Sequence, residues 1–240
     1  MARSTQVRAV LLDAGNTLFT ERRPRAAIYA EVARACGGAG GEEEAADQMG
    51  RAFAELPSAL DGRFRYSLGW FELFNDRVLG ELGVPEERRS EAHQELVRRF
   101  EDPDTYILFP EVPAALAGLA ELGLTLGVVS NWSERLPVLL EGLGLADRFN
   151  FVITSAELKA EKPDRAIFER ALFRAGVPAG EALHVGDHLE RDVRGALGAG
   201  LRAALLDRTC TAAAPDGVPV LPDLGAILAL VETASHASRA

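Results

Sequence analysis

The stretch Val7-Arg-Ala-Val-Leu-Leu12 runs straight into Asp13-Ala-Gly-Asn-Thr17. A short apolar run that ends abruptly at small and polar residues suits a strand buried on both faces, delivering a carboxylate at its C-terminal end. The same grammar recurs downstream. Leu124-Thr-Leu-Gly-Val-Val129 is followed by Ser130-Asn131, and Ala182-Leu-His-Val185 by Gly186-Asp187.

From Pro24 to Phe100 the period changes to that of helices, over Arg25–Cys36, Glu43–Leu56, Leu68–Leu82 and Glu87–Phe100. Breaks rich in glycine or proline separate them, at Gly37–Gly41, Pro57–Gly62 and Gly83-Val84-Pro85. After Pro103, helices alternate with strands: helices at Glu111–Leu122, Glu134–Leu143, Arg165–Ala175 and Glu190–Ala199, strands at Leu124–Val129, Phe151–Ile153, Ala182–Val185 and Ala203–Leu206. That alternation predicts an α/β fold, a Rossmann-like doubly wound parallel sheet built from residues 1–18 and 106–240, with residues 19–105 as an all-helical insertion. Ligands of such sheets bind beyond the carboxyl ends of the strands, where the polar residues fall. The tail after Leu230 reads as frayed.

A chain of 240 residues can bury a core without disulfides or structural metals. Its formal charge of -10 argues against nucleic acid as a partner, because such binding draws on a basic surface. Cys36 and Cys210 have no metal-ligand spacing and read as free thiols of a cytoplasmic protein. No apolar run is long enough to span a bilayer, so no membrane partner is expected. Of 26 basic residues only Lys159 and Lys162 are lysines.

Singly, a strand followed by Asp, a Ser-Asn turn or a Lys-Pro step is commonplace. Their order is more specific. Asp13-x-x-x-Thr17, Ser130-Asn131, Lys162-Pro163 and Gly186-Asp187-x-x-x-x-Asp192 resemble the four motifs of the haloacid dehalogenase-like hydrolase superfamily, over nearly the whole chain. The insertion at 19–105 resembles the helical cap of the subfamily that carries it between the first two motifs.

The resemblance implies a magnesium-dependent hydrolase of small phosphate esters, with Asp13 as the nucleophile that takes the phosphoryl group. Hydroxyls of Thr17 or Ser130, with Asn131 nearby, would hold the transferring group's oxygens. Lys162 would neutralise charge shared by Asp13 and the phosphoryl group; a chain that otherwise writes Arg keeps a compact ammonium there, although Lys159 is the alternative. Asp187 and Asp192 bring two further carboxylates, whose repulsion calls for a hard divalent cation, Mg2+, held by Asp13, the Gly15 carbonyl, Asp187 and Asp192. For Asp192 an N-terminal helix cap or a dipole partner is the competing reading.

One departure alters the expectation. Phosphatases of the family carry an acid two residues after the nucleophile, and Gly15 stands there. Such an acid contributes roughly 100- to 10,000-fold, so alkyl phosphates should turn over slowly unless His188 or Glu21 substitutes. Two rivals follow: a 2-haloacid dehalogenase, whose halide leaves unprotonated, and a non-catalytic fold that binds a phosphometabolite or a protein. Arg22, Arg23, Arg25, Tyr29 and Trp70 are cap residues that could meet a second anionic group or merely be solvated or packed. Leu18–Arg23 and Glu101–Thr105 are the expected hinges.

Overall fold

The computed structural model describes residues 6–211 and 214–236. In chain order the strands are β1 (Ala9–Leu12), β2 (Phe19–Glu21), β3 (Ala59–Leu60), β4 (Arg63–Phe64), β5 (Tyr106–Leu108), β6 (Thr125–Ser130), β7 (Phe151–Thr154), β8 (Ala182–Gly186), β9 (Arg202–Leu206) and β10 (Val220–Leu221). The helices are α1 (Arg25–Ala35), α2 (Glu42–Glu55), α3 (Leu68–Glu81), α4 (Glu86–Glu101), α5 (Val112–Glu121), α6 (Leu136–Gly142), α7 (Ser155–Leu158), α8 (Arg165–Ala175), α9 (Gly195–Gly198) and α10 (Ile227–His236). They form two compact units, one of residues 1–20, 108–131 and 143–240, the other of 21–107 and 132–142. The segment 132–142, which the sequence pattern places with the α/β part, therefore groups with the helices.

The first unit is a six-stranded sheet in the order β10-β9-β8-β1-β6-β7. Every pairing is parallel, with Leu12 opposite Val128 of β6 and Val185 of β8. The order reverses at β1, the switch point at which open α/β sheets bind ligands. All four β1 residues are fully buried, because helices cover both faces. Ala9 and Leu11 pack in one cluster with Val129, Ile153 and the α8 residues Ile167 and Phe168, while Val10 and Leu12 alternate to the other face. The doubly wound sheet expected from the alternating pattern is the fold.

The second unit closes its own core. Tyr29 and Val32 of α1, Ala52 of α2, Trp70, Phe74 and Val78 of α3, and Leu96 of α4 share one cluster. It also contains the β3–β4 hairpin, which a helix-only reading omits. α3 begins at Ser67, whose side chain accepts from the Trp70 amide, an N-cap that satisfies one orphan donor.

The C-terminal tail is more ordered than expected. α10 runs to His236 with Val231 buried, and residues 237–240 lie outside the described residues. Among the described residues, no helix is long and apolar enough to cross a membrane.

Trp70 is fully buried, stacks on Phe74 at 5.4 Å between ring centroids and donates its indole N–H to the Pro57 carbonyl at 2.9 Å. Trp70→Ala should destabilise the protein by about 3–5 kcal/mol through lost transfer and cavity terms. Urea unfolding followed by circular dichroism checks this; a loss below about 1 kcal/mol would mean that the indole is not packed as described.

Candidate active site

The carboxyl ends of the three central strands bring the polar residues together. Asp13 follows β1, and its amide donates to the Val185 carbonyl at 2.9 Å. Ser130 closes β6, and Asp187 follows Gly186 at the end of β8. Asp13, Ser130 and Lys162 are buried, whereas Asp187 is exposed at the surface.

Lys162 is the centre of the arrangement. Its ammonium donates to Asp13 Oδ1 at 2.6 Å and to Asp192 Oδ1 at 2.5 Å, with the lysine side chain only 2% exposed. Burial alone would lower the lysine's proton affinity; the charges of Asp13 and then Asp192 outweigh it and raise it. Burial likewise pushes Asp192 toward protonation, and Lys162 with His184 reverses this and holds its carboxyl well below the usual range. Lys159 is exposed, in left-handed conformation at the C-terminus of α7. Of the two lysines, only Lys162 meets Asp13.

The backbone of Lys162 is also gripped. Asn131 Oδ1 accepts from the Lys162 amide at 2.7 Å, and its Nδ2 donates to the Lys162 carbonyl at 3.0 Å. The amide of Asn131, expected among the catalytic groups, is thus engaged in positioning Lys162. The Lys162–Pro163 peptide is cis.

Asp192 lies in the first turn of a helix, as the dipole alternative has it, while the N-cap itself is His188. The chain from Leu189 to Arg194 is a π-helix, capped by His188, whose side chain accepts from the Arg191 amide. Asp192 lies inside it, fully engaged: Oδ1 takes Lys162 and His184 Nε2 (3.0 Å), and Oδ2 takes the His188 amide (3.0 Å). His184 is fully buried beneath Phe168, its ring edge to face at 5.2 Å, and its Nδ1 has no hydrogen-bond partner. It was missed in sequence because it occupies one position of an apolar strand.

The close approach of Asp192 has a steric condition. A Cβ on Gly186 would lie 2.3 Å from Asp192 Cγ, and one on Gly195 would lie 3.0 Å from the Pro163 Cα. Glycine at both places lets the π-helix reach the sheet end and the Lys162 turn.

Carboxylate oxygens of Asp13, Asp187 and Asp192 lie within 4.8 Å of one another. Crowding by protein on its inner side, then the charges of Asp13 and Asp192, push the Asp187 carboxyl up to about 6, against an Asn16 hydrogen bond and Lys162. The Asn16 side chain also accepts from the Thr20 hydroxyl (3.2 Å), and its φ of 56° is left-handed, which Asn tolerates. The Thr17 hydroxyl is buried without a partner. Ser130, Asn131, Lys162 and the three aspartates therefore converge, with Thr17 on the loop that follows Asp13.

A model of haloacid dehalogenase-like hydrolases matches residues 7–200. The chain belongs to the haloacid dehalogenase-like hydrolase family. It is 33% identical to haloacid dehalogenase-like hydrolase domain-containing protein 3 of Bos taurus, over 95% of each chain. It is 32% identical to a phosphoserine phosphatase of Thermus thermophilus, covering 90% of this chain and 94% of that one. Among solved structures it superimposes on a 2-haloacid dehalogenase of Pseudomonas syringae with a TM-score of 0.72, at 28% identity, over 95% of this chain and 99% of that one.

Glu21 and His188, the residues named as substitute acids, each have one side-chain atom engaged. Glu21 accepts from Arg25 through both Nε and Nη2, and His188 Nδ1 serves the cap. The insertion candidates are likewise committed within the helical unit. Trp70 and Tyr29 are core residues, Tyr29 donating to Asn75 at 2.6 Å; Arg22 donates to the Asp104 carbonyl, Arg23 pairs with Glu31, and the Arg25 guanidinium lies over the Phe100 and Trp132 rings.

Gly186→Ala should force Asp192 away from Lys162 and cost about 1–3 kcal/mol through overpacking. Chemical denaturation measures it; a variant as stable as the parent would show that the strand end and π-helix separate freely.

Proposed function

We propose that the protein is a magnesium-dependent phosphatase of small phosphate esters that works through an aspartyl-phosphate on Asp13. One observation carries this reading. Three carboxylates meet at the strand ends, one ammonium sits among them, and two negative charges are left over. An all-oxygen donor set with that deficit fits a hard divalent cation. Asp13, the Gly15 carbonyl and Asp187 would hold the ion directly, and Asp192, its oxygens already taken, would act through Lys162. When bound, the ion supplies positive charge that offsets that of the phosphoryl oxygens.

Asp13 Oδ1 is fixed by Lys162, and Oδ2 accepts no hydrogen bond among the described residues. Oδ2 is then the nucleophile: its bond to phosphorus forms as the bond to the leaving oxygen breaks. Lys162, bonded to Asp13 Oδ1, stabilises charge as it builds on the transferring group. The buried hydroxyl of Thr17 and that of Ser130 are donors for the phosphoryl oxygens. Water then attacks phosphorus, the Asp13 bond breaks, and phosphate leaves. With Gly15 in the acid's position, the departing oxygen takes its proton from solvent, so aryl and acyl phosphates should react faster than alkyl ones.

Likeness to a dehalogenase and the absent acid favour a second reading, hydrolysis of a 2-haloacid. It leaves Asp187 without a use, because a carboxylate substrate would add a further negative charge to an uncompensated cluster.

Hydrolysis of p-nitrophenyl phosphate should require magnesium, stop in EDTA and fall to background in Asp13→Asn. Chloride release from a 2-haloacid in EDTA would instead establish the dehalogenase.

Gly15→Asp should raise turnover of alkyl phosphates by roughly 100- to 10,000-fold with little change for aryl phosphates. Equal rates for the parent across a panel of leaving-group pKa values would overturn the assignment of Gly15.

A further inference from the structure

Arg208, just past β9, belongs to none of the four motifs. Its guanidinium donates through Nη2 to the Thr17 carbonyl at 3.1 Å and through Nε to the Asn16 carbonyl at 3.4 Å. Nη1 pairs with Glu111 Oε1 at 2.7 Å, and the guanidinium carbon stands 3.4 Å from the centre of the Phe109 ring. Glu111 is held in turn by the Leu224 amide (3.4 Å), and despite burial its carboxyl stays below the usual range through its own backbone hydrogen bond and Arg208. A planar fork with one face on an aromatic ring and one arm on a fixed carboxylate is a rigid donor.

Three successive peptide planes follow Gly15. The Gly15–Asn16 plane is fixed at its N–H, which donates to the Phe19 carbonyl at 2.7 Å. The next two donate their N–H groups to the Ala14 carbonyl, at 3.3 Å from Thr17 and 2.8 Å from Leu18. Their carbonyl ends are the two that Arg208 holds. Without Arg208, these carbonyls would keep no protein donor among the described contacts, in a loop where Asn16 is left-handed and Thr17 fully buried.

We propose that Arg208 is a positioning residue that clamps the loop after the nucleophile, setting the Gly15 carbonyl and the Thr17 hydroxyl for the metal and the phosphoryl group. The metal and phosphoryl roles rest on the function proposed above; the clamp itself does not. Its reach is local. Arg208 touches no reacting atom, and it contributes geometry by donating to two consecutive carbonyls at once. A single ammonium cannot span both carbonyls and Glu111, so lysine should be a poor substitute despite equal charge.

The test compares the full-length parent with Arg208→Gln and Arg208→Lys. Hydrogen exchange of the peptide covering Asp13–Phe19, without metal, should speed up in both variants while the rest of the sheet keeps its protection. The magnesium dissociation constant by calorimetry, using the metal alone, should rise roughly 10- to 100-fold, and kcat for p-nitrophenyl phosphate should fall by a similar factor with KM little changed. Unchanged exchange in that peptide in either folded variant overturns the clamp. Full recovery of magnesium affinity in Arg208→Lys also overturns it, since charge alone would then suffice. Should the parent neither bind magnesium nor cleave the ester, the proposed function fails, and the exchange comparison still decides the role of Arg208.

Discussion

A buried ammonium shared between two carboxylates organises the sheet end. Lys162 reaches Asp13 across 149 residues and Asp192 across 30, so β1, β8 and the turn between β7 and α8 must all arrive in register. Desolvating three charges is costly, and their attraction compensates only where the geometry is close and the remaining lone pairs are satisfied. Satisfaction is nearly complete at Asp192, through Lys162, His184 and the His188 amide. The π-helix accompanies this: the Val193 amide reaches back five residues to the His188 carbonyl, beside the ordinary four-residue bond from the Asp192 amide, and the Asp192 carboxylate lies against the strand end. Such bulges concentrate at functional sites because they aim a side chain where a regular helix would not.

The same constraint explains which small residues matter. Gly186 and Gly195 are needed as glycine for the approach of Asp192 and Pro163, not for backbone freedom, since neither has a positive φ. At Asn16 the reverse holds, and conformation decides: a left-handed residue lets the loop turn back so that its side chain reaches Asp187. The helical unit stands apart from these demands. Its aromatic cluster around Trp70 closes independently of the sheet's core, and an insertion that buries its own apolar faces can be carried by a chain whose sheet is already complete.

The parallel sheet was legible because its central strands are buried on both faces, so apolar runs bounded by Asp13, Ser130 and Asp187 marked both the strands and the ends where polar residues gather. Short elements left no such mark: β3 and β4, two residues each, have no period to read, and α10 dissolves into small polar residues after Val231. Within the site, carboxylates and Lys162 stood out by residue type against an arginine-rich background. His184 did not, because a strand position facing α8 normally carries an apolar side chain. Arg208 did not either, since one arginine among many carries no signal until the fold brings it to Asn16 and Thr17. For Tyr29 and Trp70 the sequence left ligand contact and packing open, and the structure shows packing, with each polar atom satisfied inside the core.

Gly15 divides the proposed reaction unevenly. In the first half, an ester oxygen must depart, and an alkoxide leaves poorly without a proton, so the missing acid weighs on that step in proportion to the leaving group's basicity. In the second half the departing group is the Asp13 carboxylate, a weak base that needs no proton. The water that attacks phosphorus in the second half meets the same aspartyl-phosphate for every substrate, so that step does not depend on the leaving group. Lys162 assists both halves alike, since it stays bonded to Oδ1 whichever bond at Oδ2 is breaking. The first half therefore limits turnover for basic leaving groups, and the second sets a common ceiling for activated ones. On the proposed mechanism, selectivity among substrates would then follow the basicity of the leaving group, and esters already inclined to break would be favoured.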